Sequence, residues 1–310
     1  MTELKQAGTR LAVFLVLLAP WPEAAHSQQP AAPAFGGEII RQEAIYQGTV
    51  DQAVAGYTVD RGLRDYANAL PVAFDHELAN LGAADRWLDI GAGKGQALLD
   101  YFAPGHDPFE AEARERRSER AQVIAISIED RRTPEWQRTV ASLEANKLQY
   151  LFNRRLEEYS LKELGKFQLI TDVVGGFSYT DNLSLFVEKV LSFLNLHGSF
   201  FTLLQDVRSE AGTNRPHYSG ASFLTEIAGA DGSEGKICSW LKSISCVQVS
   251  CELTTGWIPL IEKYRVRKVC NDVVVPELLP VHYIAGTPPE RRYRLRTPAQ
   301  RSGADTTIDQ

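Results

Sequence analysis

The sequence is most informative at first through what it lacks. It has no basic excess: 33 Lys and Arg stand against 39 Asp and Glu, for a net charge of −6. No nucleic-acid partner is indicated by such a balance. It has four cysteines, none before Cys238, and no Cys-x-x-Cys pair. That argues against a zinc site of the usual spacing. No apolar run reaches the roughly 20 residues a membrane span needs, and no internal repeat is visible. What remains is a 310-residue chain, 44% hydrophobic, long enough for one large domain with a buried core or for two smaller ones.

The longest unbroken apolar run, Leu11–Ala19, lies near the start, preceded by Lys5 and Arg10. Pro20, Trp21 and Pro22 break it, and Ala25 and Ser27 stand three and one residues before Gln28. A charged start, a short apolar run and small residues before a cut are the layout of a secretory signal peptide over 1–27. The mature chain is then exported, periplasmic or secreted, with no membrane span. If the start is misassigned, it is cytoplasmic. Cys238, Cys246, Cys251 and Cys270 form an even set, which in an exported chain predicts two disulfides with three connectivities open. In a cytoplasmic chain they would be small buried apolar residues.

Residues 28–56 read as a linker and N-terminal extension, opening with the Pro- and Gly-rich QQPAAPAFGG. Helical spacing of apolar residues follows to Leu81, with Pro71 ending one helix and admitting the next. From Arg86 to Gln205, short apolar strands alternate with helices. Strands are expected at 87–90, 123–126, 148–152, 167–174 and 199–204, and helices from Gln96, over 134–147 and over 183–194. This pattern predicts an α/β fold: a doubly wound, mostly parallel seven-stranded sheet with helices on both faces. The runs 246–253 and 260–269, joined around Gly256, predict a C-terminal antiparallel hairpin. Residues 207–236 read as loop-rich with one short helix. The charged stretch 107–120 reads as a solvated insertion, and 276–310 as a tail, largely disordered from 286.

The chemistry concentrates in Asp89-Ile-Gly91-Ala92-Gly93-Lys-Gly95, between a strand and a helix. Alternate glycines let the backbone turn sharply and approach a ligand without Cβ clashes, and the helix start offers free N–H groups. A dinucleotide fingerprint needs Gly or Ala where Gln96 stands. A P-loop needs Gly where Leu88 stands and Ser or Thr where Gly95 stands. Both fail.

The Asp-x-Gly-x-Gly-x-Gly form resembles motif I of the class I, Rossmann-like S-adenosylmethionine-dependent methyltransferases. Phe167-Gln-Leu-Ile-Thr-Asp172 resembles that family's fourth strand, and Leu194-Asn-Leu-His-Gly198 the turn into its fifth. The closing hairpin is similar to its antiparallel end, so the resemblance covers about 57–275. It implies an enzyme that uses S-adenosylmethionine to methylate an acceptor the sequence does not identify. It also implies that Asp89 and the backbone of Gly91, Ala92, Gly93 and Gly95 hold the methionine end. Asp172 would line the pocket near it, and an acidic residue after the second strand would take the ribose hydroxyls. Here Ser127 stands at the usual acidic position, and alternation selects Glu129 over Asp130. Glu157 or Glu158 would flank the adenine. Base candidates are Ser178, Tyr179, Asp206 and His217, none of them distinguished by pattern; His197 lies in a structural turn. The alternative is a non-catalytic, exported S-adenosylmethionine-binding protein of the same fold.

Overall fold

A computed structural model describes residues 61–103, 120–205, 207–209, 221–229, 231–254, 261–284 and 289–296. The expectations for the signal peptide, the linker, the charged insertion, Asp206 and His217 lie outside these residues.

Two short helices, α1 (Leu63–Ala69) and α2 (Ala73–Ala79), precede the sheet. They meet at Pro71, as the missing N–H of proline requires. Then come β1 (Arg86–Ile90), α3 (Gln96–Phe102), β2 (Gln122–Ile126), α4 (Pro134–Ser142), β3 (Leu148–Leu151), α5 (Leu161–Leu164) and β4 (Phe167–Asp172). The turn α6 (Gly176–Tyr179), the helix α7 (Leu183–Phe193) and β5 (Leu194–Gln205) follow. The strands β6 (Val207–Ser209), β7 (Ala221–Phe223), β8 (Thr225–Ala228) and β9 (Glu234–Gly235) occupy the segment expected to be loop. Its helix, α8 (Ile237–Lys242), begins one residue past that segment. The hairpin β10 (Val247–Thr254) and β11 (Ile261–Lys268) comes next, then β12 (Leu278–Ile284) and β13 (Glu290–Leu295).

The main sheet has the order β3-β2-β1-β4-β5-β11-β10. Strands β1 to β5 pair in parallel, and β11 runs antiparallel to both neighbours. This is the doubly wound sheet with a closing hairpin that the alternation predicts. The chain reverses its winding direction between β1 and β4, and such a switch point leaves a crevice at the carboxyl ends of those strands.

Both faces of the sheet are covered, which is why β1 and β2 are buried almost end to end. On one face Leu88, Ile124, Ile170 and Phe200 pack with Phe186, Val187 and Val190 of α7. On the other, Trp87, Val123, Leu169 and Phe201 pack with Leu63, Tyr66 and Phe74 of α1 and α2 and with Leu98 of α3.

A second, four-stranded sheet has the order β12-β13-β8-β9. It corrects the expectation of a tail disordered from 286 at residues 290–295, which are rich in arginine and form a strand; 297–310 lie outside the described residues. Arg291 and Tyr293 point inward and are about 1% exposed, while Arg292 and Arg294 point out. The charges marking this stretch as solvated thus belong in part to one buried side chain. Two disulfides, Cys238–Cys251 and Cys246–Cys270, select one of the three connectivities. They tie α8 to β10, and the start of β10 to the end of β11. Among the described residues no helix is long and apolar enough to cross a membrane.

Candidate functional site

A cleft of about 740 Å³, open mouth included, lies at the carboxyl ends of β1, β2 and β4. Its floor is the glycine loop. Gly91, Gly93 and Gly95 all have positive φ, at 74°, 55° and 74°, a region where a Cβ meets the following carbonyl. Gly91 and Ala92 donate their N–H groups to Ile126 O at 2.9 and 3.2 Å, closing the loop against β2. A Cβ on Gly91 would lie 2.7 Å from Gly175 Cα, and one on Gly95 would run into the Trp136 ring. Gly91 and Gly93 line the cleft. Gly95 instead shapes the loop over Trp136 of α4.

Gly175 is the partner that sequence reasoning missed. It follows β4, and a Cβ there would meet Ile90 O at 2.5 Å. The loops after β1 and β4 therefore touch backbone to backbone, which two glycines facing each other permit. Val174, just before, has φ 58°, a strained conformation for a β-branched residue. The signal was the pair Gly175-Gly176, separated by two residues from a strand ending in Asp172.

The acidic residues separate into two groups. Asp89 and Asp172, expected against the ligand's methionine end, are both fully buried behind the cleft wall. Asp89 accepts from Tyr66 Oη at 2.9 and 3.1 Å and from Thr171 Oγ1 at 2.6 Å. Thr171 in turn accepts from Trp87 Nε1 at 2.8 Å. Burial pushes the Asp89 carboxyl up to about 7, against the pull of its Thr171 and Tyr66 donors and of the Arg61 charge. Asp172 accepts from Gly175 N at 2.8 Å and Phe177 N at 2.9 Å, fixing the turn into α6. Burial also lifts it to about 7; those two N–H donors work against the shift, and the Asp89 charge adds to it.

Glu129 is placed differently. It lines the cleft beside the glycine loop, together with Ser127. Its Oε2 pairs with Arg131 Nη2 at 2.8 Å. Its Oε1 is buried without a hydrogen-bond partner among the described residues. Asp130 turns away and pairs with Arg132 Nη2 at 2.6 Å, both about a third exposed. Tyr150 of β3 joins the two halves of the wall: its Oη lies 2.5 Å from Gly93 O and 3.2 Å from Glu129 O. Burial pushes this phenol up to about 12. Beyond β3, Glu157 lines the cleft and burial raises its carboxyl. Glu158 instead folds back to accept from Arg155 N at 2.5 Å. Of the base candidates, Ser178 is buried and donates to Leu203 O at 3.3 Å, whereas Tyr179 lines the cleft. His197 has φ 66° in the β5 turn.

The cleft is lined by the backbone of Gly91 and Gly93, by the carboxylates Glu129 and Glu157, and by the apolar Ile90, Leu156 and Phe186. Among the described residues no cluster could hold a metal ion.

No family model matches the chain, and no curated protein matches it. Solved structures similar to it include an rRNA methylase from Streptococcus thermophilus, 11% identical over 64% of this chain and 97% of that one, with a TM-score of 0.39. The N-methyltransferase NodS from Bradyrhizobium japonicum is 11% identical over 64% of this chain and 93% of that one, with a TM-score of 0.36. Phosphoethanolamine N-methyltransferase 2 from Haemonchus contortus, solved with S-adenosyl-L-methionine, is 13% identical over 46% of this chain and 29% of that one, with a TM-score of 0.33.

Proposed function

We propose that this chain binds S-adenosylmethionine in the cleft at the switch point and transfers its methyl group to an acceptor. The observation that carries the reading is Glu129, a cleft-lining carboxylate whose buried Oε1 has no hydrogen-bond partner among the described residues. A buried carboxylate oxygen without a donor is costly, and a ribose hydroxyl would supply that donor. The glycine loop supports the same reading, because added Cβ atoms would strain or close it.

In this reading the backbone of Gly91, Ala92 and Gly93 contacts the methionine end, and Glu129 holds the ribose. Asp89 and Asp172 act from behind the wall: Asp89 braces β1 through Tyr66 and Thr171, and Asp172 shapes the loop after β4. The bound cofactor supplies an activated methyl group. What the chain's residues supply is alignment, which alone can carry much of the rate in an in-line transfer. Tyr179 is the one base candidate of the sequence reading that lines the cleft among the described residues.

Calorimetric titration with S-adenosylmethionine and S-adenosylhomocysteine tests the reading. Glu129→Gln should weaken binding by about 1.5–3 kcal/mol, the usual worth of a hydrogen bond to a charged group. Asp130→Asn, already paired outward to Arg132, should leave it unchanged. A folded wild-type chain that binds neither compound ends the proposal.

A second reading is favoured by the two disulfides, which suit an oxidising compartment. An exported chain would meet little of a charged sulfonium that crosses membranes poorly. The protein would then be a binder that has lost transfer. Binding without turnover across an acceptor screen would select this reading.

A further inference from the structure

The wall of the cleft after β4 is held in a shape it would not adopt alone. Val174 has φ 58°, and Gly176 sits so close to Phe186 that a Cβ would lie 2.5 Å from its ring. Such strain persists only where surrounding structure over-determines it. Asp172 holds the segment from one side through Gly175 N and Phe177 N. The other side is held by the second sheet. Arg291 Nη1 donates to Phe177 O and to Thr180 O, both at 2.9 Å. Tyr293 Oη donates to Thr180 O and Tyr283 Oη to Tyr179 O, each at 3.1 Å. Three side chains of one hairpin thus grip three carbonyls of one short segment, and Tyr179 and Thr180 of that segment face the cleft.

We infer that Arg291 is a positioning residue: through it the β12–β13 hairpin sets the cleft wall from Phe177 to Thr180, and with it the seating of the ligand. A guanidinium about 1% exposed would normally face a carboxylate. Among the described residues its four hydrogen bonds all go to neutral oxygens, the other two to Thr225 Oγ1 at 3.2 and 3.1 Å. Burying a charge this way is expensive, so a role in core packing alone would be served better by an apolar side chain. What the rigid fork adds is simultaneous hold on two segments, β8 and the cleft wall.

The effect on ligand binding rests on the S-adenosylmethionine reading; the hold on the wall does not. The test therefore has two measurements on the full chain: hydrogen exchange of residues 176–180 without ligand, and the Kd for S-adenosylmethionine. Arg291→Lys keeps the charge and loses the fork. It should speed exchange at Ser178 and Thr180, whose N–H groups close onto Gly175 O and Gly176 O, ahead of the main sheet. It should also raise Kd about tenfold, the size of one or two lost hydrogen bonds. Tyr293→Phe, a milder change that guards against misfolding, should raise Kd about threefold. Arg292→Ala, on the outward face of β13 and paired to Glu226, should change neither. Unchanged exchange in both Arg291→Lys and Tyr293→Phe overturns the inference, whether or not wild type binds the cofactor. Faster exchange with an unchanged Kd overturns the link to ligand seating. A wild type that binds nothing ends the functional reading and the ligand half of this one, and leaves exchange to decide the hold on the wall.

Discussion

The two flanks of the main sheet are built on different principles. On the β3-β2-β1 side, β1 and β2 are buried from their second residue onward and lie between helices on both faces. On the far edge, β10 has no fully buried residue. It is held by β11 along one side and by cystines just before its start and at its middle. The first flank draws its stability from apolar area at about 25 cal/mol per Å², and it can therefore present an open glycine loop at its carboxyl end. The second has too little area to bury and substitutes covalent restraint. The site sits on the flank held by packing, and the brace on its wall comes from the region that follows the cystines.

The sharpest way to break this contrast is to remove the cystines. In the loop-entropy account, bridges spanning 13 and 24 residues contribute about 3 kcal/mol each. Urea unfolding with and without reductant should show a loss of about 6 kcal/mol. Exchange under reductant should rise first in α8, β10 and β11, with β1 and β2 still protected. A loss below about 1 kcal/mol would mean that packing holds the edge after all.

The reverse experiment perturbs the packed flank. Gly91→Ala adds a Cβ in a left-handed conformation and drives it against Gly175 Cα, which is backbone and cannot swing aside. The expected cost is about 2–3 kcal/mol of stability, from conformational strain and overpacking together. Gly82→Ala is a fitting control, since a Cβ there finds only Asp85 Oδ2 at 3.7 Å. Equal stability of the two variants would show that the crossing of the two loops yields easily.

How much of this was legible beforehand follows the same division. The five parallel strands announce themselves as apolar runs, because burial on both faces removes polar alternation. The glycine loop is read directly, since only glycine suits three positive φ values in five residues. The second sheet was missed for the opposite reason. In Glu290-Arg-Arg-Tyr-Arg-Leu295 the inward positions are Arg291 and Tyr293, so arginine stands where a period-2 reading expects an apolar residue. Glu129 lines the cleft and Asp130 does not, but β2 ends at Ile126, so the alternation that selected Glu129 does not reach it. For Asp89 and Asp172 the sequence marks importance but not direction: the hydroxyls and N–H groups they satisfy come from α1, from the neighbouring strand and from the turn after β4.

The smallest expected effect probes what a buried carboxylate does for the packed flank. Asp89 stands at about 7 in the folded protein against 3.8 as its ordinary value. The folded state therefore holds the proton more tightly than the unfolded chain. The stability this contributes is fully present below about pH 4 and is lost as pH rises through 7, with a slope of up to about 1.4 kcal/mol per pH unit. Asp89→Asn cannot ionise and should flatten the slope between pH 5 and 8. Asp172, also at about 7, should keep part of it. Tyr66→Phe acts more subtly. Its hydroxyl donates to both Asp89 oxygens, a contact worth more to the carboxylate than to the neutral acid. Removing it should cost about 0.5–1 kcal/mol at pH 5 and about 1.5 kcal/mol at pH 8. Urea midpoints of wild type, Asp89→Asn and Tyr66→Phe at the two pH values give the comparison. If Tyr66→Phe costs the same at both, Asp89 does not change charge in that interval.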